Sequence, residues 1–415
     1  MATETIATEC VIAGGGPAGM MLGLLLARAG VDVVVLEKHA DFLRDFRGDT
    51  IHPSTLGVRY ELGILDDFLK RPHQDVPELT GQIGDERIVL ADFSHLPTHC
   101  RFIALMPQWD FLDFLAHNAK LYPSFHLYMR AEADGLLMDG DRVSGLQAKT
   151  PEGFLEIRAG LVVGADGRHS TVRELAGLEV EDFGAPMDVL WFRLSKRPDD
   201  GQQTLGRIQA GVVFVTLDRG DYWQCAYVIP KGGFDRLRAQ GLEAFRDALI
   251  RLNPAFADRV GEIASWDDVK LLTVKVDRLK RWYRPGLLCI GDAAHAMSPV
   301  GGVGINLAIQ DAVAAANILW QPLRQGPVSV DLLRQVQMRR EWPTKMMQSV
   351  QLFIQKRVIS SVLSMTARPR APFVVTLFNR FPFLRRLPAR LIGMGFRPEH
   401  VHSPELPASR SSQAA

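Results

Sequence analysis

The stretch Glu9-Cys10-Val11-Ile12-Ala13-Gly14-Gly15-Gly16-Pro17-Ala18-Gly19 decides the fold of this 415-residue chain. Cys10 to Ala13 is an apolar run that ends on glycines, the pattern of a short buried strand. Pro17 to Ala29 follows as a helix, with proline tolerated in its first turn. Gly30 ends that helix, Val31 to Leu36 is a second apolar strand, and Glu37 closes it, followed by Lys38. This order of strand, glycine turn, helix, strand and acid gives a G-x-G-x-x-G pattern its meaning. Gly14 permits the tight turn, Gly16 lets the backbone approach a pyrophosphate, and Gly19 lets the helix pack on the sheet. The helix start, at Pro17 and Ala18, offers free N–H groups and about half a positive charge to phosphates. Glu37 is placed to accept hydrogen bonds from the ribose hydroxyls of an adenosine.

Two later segments extend this reading. Gly164-Ala165-Asp166-Gly167, followed by Ser170 and Arg173, ends the apolar strand Leu161 to Ala165 and precedes a helix. Taken alone it could be an ordinary Asp-Gly turn. Leu287 to Ile290 is a short buried strand that delivers Gly291-Asp292-Ala293-Ala294-His295, with Pro299, Gly301, Gly302, Gly304, Ile305 and Asn306 beyond it. A carboxylate at Asp292 can hold a sugar-alcohol hydroxyl. Three glycines between Pro299 and Ile305 let backbone N–H groups approach a flat ring whose edge becomes anionic on reduction. Together the segments predict FAD and redox chemistry.

The rest of the chain gives the organisation. Residues 52–71 read as helical, 76–105 as short strands and turns, and Gln108 to Leu121 as a helix. Phe125 to Ile157 reads as strands joined by Asp-Gly-Asp and Pro-Glu-Gly turns. Met187 to Ile229 is β-rich and aromatic, and Phe234 to Leu252 is a helix. Ile305 to Leu319 and Val330 to Leu363 are helical, the second with a break expected near Pro343. The fold class is α/β: a Rossmann-like FAD-binding domain (1–75, 101–186 and 285–365) interleaved with a mixed β-sheet substrate domain (76–100 and 187–284). A helical C-terminal region, 366–415, completes the chain.

The set Gly14/Gly16/Gly19, Glu37, Gly164-Ala165-Asp166-Gly167 and Gly291-Asp292-Ala293-Ala294-His295 resembles the flavoprotein aromatic hydroxylases. These are the para-hydroxybenzoate hydroxylase-like, group A monooxygenases. The resemblance covers about residues 8 to 340. It implies that Asp166 belongs to a motif linked to both FAD and NAD(P)H, and that Asp292 binds the ribityl chain. It implies that Pro299 packs beside the flavin where oxygen reacts, and that Gly304 and Ile305 are backbone donors to flavin O2, with Asn306 following. It matches Arg47 to an arginine near the flavin phosphates or ribityl chain, and Gln108 to a glutamine on the ribityl side. The bland alternatives are a solvated arginine and a helix-capping residue. The family chemistry it implies is reduction of FAD by NAD(P)H, reaction with O2, and delivery of one oxygen atom to an electron-rich ring by a C4a-hydroperoxyflavin. The cofactor does that chemistry; the protein excludes water from it.

The substrate side is less determined. Phe192, Phe214, Trp223 and Tyr227 are candidates to line an apolar pocket for an aromatic or quinone-like small molecule, with core packing as the plain alternative. His295 reads as structural, and no general base stands out. Two rivals share the scaffold. The halogenase signature Trp-x-Trp-x-Ile-Pro has Cys225-Ala226-Tyr227-Val228-Ile229-Pro230 as its nearest string here, lacking both tryptophans. Isoprenoid-type reductases would add two hydrogens and no oxygen. A non-catalytic flavin-binding module is the remaining alternative.

Composition sets the outer bounds. A net charge of +1 gives no basic field for nucleic acid. Four scattered cysteines, Cys10, Cys100, Cys225 and Cys289, offer neither a metal site nor a disulfide framework and fit a cytoplasmic protein. No run reaches the length of a membrane-spanning helix. After Thr366, arginines alternate with Phe, Leu and Ile. Such a tail can lie on the inner membrane surface as a peripheral anchor, or cap the protein's own core or a partner subunit.

Overall fold

Thr3–Ala13 is the central strand of an eight-stranded sheet. Five parallel strands run in the order Leu287–Cys289, Gly153–Gly164, Thr3–Ala13, Val33–Glu37 and Phe125–Met129. They read as continuous apolar runs because helices cover both faces of such a sheet. Ala13 pairs with Leu36 on one side and Gly164 on the other, and Gly164 pairs with Cys289. The strands therefore release Gly14, Glu37, Ala165 and Gly291 at one common edge. Antiparallel strands Glu132–Asp139 and Arg142–Thr150 extend the sheet beside Gly153–Gly164. The structure, a computed structural model, describes residues 3–43, 50–84, 86–200, 205–367 and 373–406.

Helix Pro17–Arg28 is buried all round from Ala18 to Ala27. It is sandwiched between the sheet and two other helices, Gln108–Ala119 and Gly304–Leu323, which explains its lack of a polar face. The segment Val300–Leu323 is long and apolar enough to span a membrane, contrary to the sequence expectation, and most of it is buried inside the protein.

A second sheet has seven strands, ordered Lys270–Leu272, Met187–Ser195, Tyr222–Pro230, Val212–Asp218, Leu205–Gln209, Glu78–Ile83 and Glu86–Asp92. Side chains alternate between its faces. One face meets helix Leu242–Leu252. The other looks toward the Pro299–Val303 loop: Val189, Ala226 and Val228, with Trp191, Val213 and Val215, pack with Val300.

Helix Val330–Ile354 continues through Pro343, where a break was expected. The irregularity falls later, as a π-helical turn at Gln355–Ile359 before Ser360–Ser364. Pro343 removes one hydrogen bond, and a helix held by packing along its length tolerates that loss. Beyond it, Arg386–Met394 lays Ala389, Ile392 and Met394 against Phe93, Ile103 and Trp191. The described part of the tail thus caps the protein's own core, while Phe381, Phe383 and Leu387 stay exposed.

Candidate functional site

The three motifs and Glu37 meet at the carboxyl edge of the parallel strands, where open α/β sheets bind their ligands. Gly14, at φ +109°, lies so close to the next strand that an added Cβ would sit 2.4 Å from the Ala165 carbonyl oxygen. Gly15 donates its N–H to Glu37 Oε2 at 3.2 Å. Gly291 fits between helices: a Cβ there would come within 3.1 Å of Ala18 Cβ and 3.3 Å of Ala308 Cβ. Ala18 and Gly291, 273 residues apart in sequence, are thereby in contact. Gly16 is different, because a Cβ there would meet no atom within 4 Å. No side chain caps helix Pro17–Arg28. Its N–H groups therefore face an open cradle that fits a pyrophosphate.

Glu37 is buried, and its Oε1 accepts from the His39 N–H at 3.0 Å. Lys38 is exposed. Asp166 accepts from the Ser170 hydroxyl at 2.5 Å and the Val172 N–H at 3.1 Å. Both carboxylate oxygens are thus spent pinning the turn, and burial pushes the carboxyl above its ordinary range. Asp292 is partly exposed, with Arg168 Nη2 3.5 Å from its Oδ2. Gln108 opens helix Gln108–Ala119 directly after Pro107 and is buried. Arg47 lies outside the described residues.

Pro299 begins a single 3-10 turn, Val300–Gly302, in which Gly301 and Gly302 have positive φ. A Cβ on Gly302 would lie 2.0 Å from Thr50 Oγ1, so only glycine fits. Helix Gly304–Leu323 starts right after it, and its first turn leaves the N–H groups of Gly304 and Ile305 without intrahelical acceptors. Asn306 has its side chain engaged within the protein. Its Oδ1 accepts from the His52 N–H at 2.9 Å, and its Nδ2 donates to the Thr50 and Gly302 carbonyls, both at 3.1 Å. The side-chain amide thus holds the loop, and the Asn306 backbone N–H, in the first turn of the helix, is the part of the residue left for a cofactor.

The four substrate candidates are corrected by the structure. Phe192, Phe214, Trp223 and Tyr227 point to the far face of the sheet and pack on Phe245, Leu249 and Phe256. They are core, because a one-residue shift in a strand changes the face. The side chains of opposite parity, Val189, Trp191, Val213, Val215, Ala226 and Val228, lie on the other face, in a cluster with Val300, Ile359 and Leu363.

Sequence reasoning missed a buried ionic cluster behind the Gly291-Asp292 motif. Asp311 Oδ2 accepts from the Gly291 N–H at 3.0 Å and lies 2.6 Å from His295 Nε2. Its Oδ1 accepts from Arg340 Nε at 3.0 Å, and Arg340 Nη1 reaches Glu399 at 3.2 Å. Burial alone would raise the Asp311 carboxyl, but His295 and Arg340 beside it hold it below the usual range. The signal was present: Asp311 is the lone acid in an apolar helix.

These geometries agree with the comparisons. Residues 7–350 match a family model described as an FAD binding domain. The chain is 32% identical to 6-methylpretetramide 4-monooxygenase of Streptomyces rimosus, over 92% of each chain. The chain belongs to the FAD-dependent aromatic hydroxylases. It is an FAD-dependent monooxygenase, an oxidoreductase acting on aromatic compounds. It is also 26% identical to 3-demethoxyubiquinol 3-hydroxylase of Escherichia coli, over 82% of this chain and 88% of that one. The fold is shared with p-nitrophenol 4-monooxygenase PnpA of Pseudomonas putida, with a TM-score of 0.77 at 21% identity, covering 95% of this chain and all of that one.

Proposed function

We propose that this monooxygenase hydroxylates a polycyclic, polyketide-like phenol, using NAD(P)H and O2. The observation that carries the reading is the inner face of the seven-stranded sheet. There, small aliphatic side chains (Val189, Val213, Val215, Ala226 and Val228) with the single large Trp191 share a cluster with Val300 of the Pro299–Val303 loop and with Ile359 and Leu363. Such a wall suits a broad flat ring system better than a single small ring. Full-length similarity to an enzyme named for 6-methylpretetramide supports it.

Bound FAD supplies hydride acceptance from NAD(P)H and activation of O2. The chain's own residues do the rest. The cradle at Gly14 to Gly19 would hold the pyrophosphate, Glu37 the ribose hydroxyls, and Asp292 the ribityl chain. Gly304 and Ile305 would offer N–H groups and a helix dipole to negative charge developing on the flavin. Val300, Trp191, Ile392 and Met394 form an apolar surround that keeps water off the reacting atoms.

The test is NAD(P)H oxidation in air with three- and four-ring phenols against single-ring phenols. The reading expects stimulation at least tenfold greater with the polycyclic compounds. Equal or greater stimulation by single-ring phenols would overturn it.

A further inference from the structure

The turn Pro382–Arg385 runs straight into helix Arg386–Met394. Phe383, Arg386, Leu387 and Arg390 stand there at i, i+3, i+4 and i+7, the spacing of one helix face. Ala389 and Gly393 take the opposite face and hold it to the protein. Ala389 is fully buried with Phe93 and Leu96, and a Cβ on Gly393 would meet Leu96 at 2.7 Å and Pro53 at 3.3 Å. The outward face is therefore fixed in direction, and it is apolar and basic. Phe383 is 59% exposed and Leu387 67%. Phe381 joins them at 44%, its ring centroid 6.1 Å from that of Phe383.

The charge around these side chains has one sign. From Thr366 to Pro398 the chain has seven arginines and no acidic residue. Arg380, Arg386 and Arg390 are exposed. Arg385 is half-buried, and its Nε donates to the Phe378 carbonyl at 3.1 Å. Arg386 Nη2 lies 3.2 Å from His95 Nε2, with Asp92 nearby, which also accepts the Ser94 N–H at 2.9 Å. Among the described residues none of these four arginines closes an ion pair.

We propose that this face docks on an anionic lipid surface. Phe381, Phe383 and Leu387 enter the boundary between headgroups and acyl chains, and Arg380, Arg386 and Arg390 meet lipid phosphates. The headgroup boundary suits this mixture, because rings and leucines reach the acyl edge while guanidinium groups stay in the polar layer. A stable protein partner needs a broad patch, about 800 Å² on each side. Here three apolar side chains stand out within seven residues of chain, each flanked by arginine. An arginine at an anionic surface is worth about fivefold in affinity. The proposal does not depend on which ring system the enzyme hydroxylates.

The test sediments the full-length, FAD-loaded protein with vesicles of phosphatidylcholine alone, or of equal parts phosphatidylcholine and phosphatidylglycerol. Partition onto the anionic vesicles is expected to be at least tenfold greater, and to fall as salt is raised. Arg386→Gln with Arg390→Gln should weaken it about 25-fold, the product of two fivefold losses. Phe383→Ser with Leu387→Ser should weaken it severalfold and leave the salt dependence in place. All four side chains are exposed, so both pairs should keep the yellow colour and thermal midpoint of the wild type; if one pair loses FAD, the other decides. Equal sedimentation with both vesicle types, or binding that neither pair alters, would overturn the proposal. A dimer in light scattering that Phe383→Ser with Leu387→Ser dissociates would assign the face to a second copy of the chain and overturn it too.

Discussion

Asp311 carries no reacting atom, yet it fixes the backbone that presents Asp292. It receives the Gly291 N–H on one oxygen and Arg340 on the other. Asp311→Asn leaves His295 and Arg340 without their shared charge, and breaking a buried pair in this way costs about 3–5 kcal/mol. The expected result is a lower thermal midpoint and reduced FAD content after purification, read from the 450 nm to 280 nm absorbance ratio. Because the folded carboxyl titrates below its unfolded value, its stabilisation is complete above about pH 4 and is lost as pH falls further. His52 acts earlier in an acid titration. Burial lowers it from 6.5 to about 4, and its hydrogen bonds to the Ile392 and Gly301 carbonyls only partly offset that. Between those values the unfolded chain binds a proton that the folded chain refuses, so stability falls as pH drops. From pH 7 to 5 the loss from this group is about 2 kcal/mol. Urea denaturation at both pH values should show it in the wild type and a correspondingly flatter dependence in His52→Gln.

Glycine chemistry at the residue scale was legible because φ above zero and close approach leave few substitutes. At Asn306 the sequence did not show that the side chain serves the loop, for a physical reason. A polar side chain next to a cofactor loop can serve the loop or the cofactor, and composition does not say which.

At the scale of elements, helix Val330–Ile354 and the π-turn after it carry a buried stripe that is polar: Gln337, Arg340, Thr344, Gln348, Gln351 and Gln355. The spacing of three and four places them on one face. That face works as a template for backbone. Gln348 Nε2 donates to the Asp277 and Ala296 carbonyls at 2.8 and 3.2 Å. Gln351 accepts from the Ser298 N–H at 3.2 Å and donates to the Ser298 and Val300 carbonyls at 3.0 and 2.8 Å. The loop on either side of Pro299 is therefore held by side chains from a helix some fifty residues further on. Gln351→Leu strands one N–H and two carbonyls, at about 1–3 kcal/mol for each group left buried and unpaired. Its expected signature is weaker FAD binding with the far-ultraviolet dichroism intact; unchanged FAD affinity would remove Gln351 from this role. The stripe was visible as a pattern in the sequence. It was read only as helix because polar periodicity ordinarily marks a solvated face.

For the whole molecule, the parallel strands and their glycine turns were legible because each depends on neighbours in sequence. The face of the second sheet was not. Strand parity follows from how two distant sheets pack, and aromatic residues are as much at home in a core as in a pocket. The tail shows the same limit, since its alternation of arginine and apolar residues fits a membrane surface and a protein surface equally. In the fold, Gly393 fits against Leu96, where an added Cβ would approach within 2.7 Å, and Glu399 joins Arg339 and Arg340. Removing residues 386–415 would expose Phe93, Ile103 and Trp191 and leave Arg340 short of a partner. The expected outcome is aggregated, colourless protein; a soluble, yellow truncated form would show that the tail is dispensable for the core.

The central claim is that the carboxyl edge of the parallel strands and the inner face of the second sheet together carry out oxygen insertion into an aromatic ring. Its most direct test is the product mass from a turnover with NAD(P)H and a stimulating polycyclic phenol under 18O2. The account predicts one labelled oxygen in the organic product and one NAD(P)H consumed per product formed. A product that gains two hydrogens without label, or NAD(P)H oxidation that yields only peroxide, would contradict it.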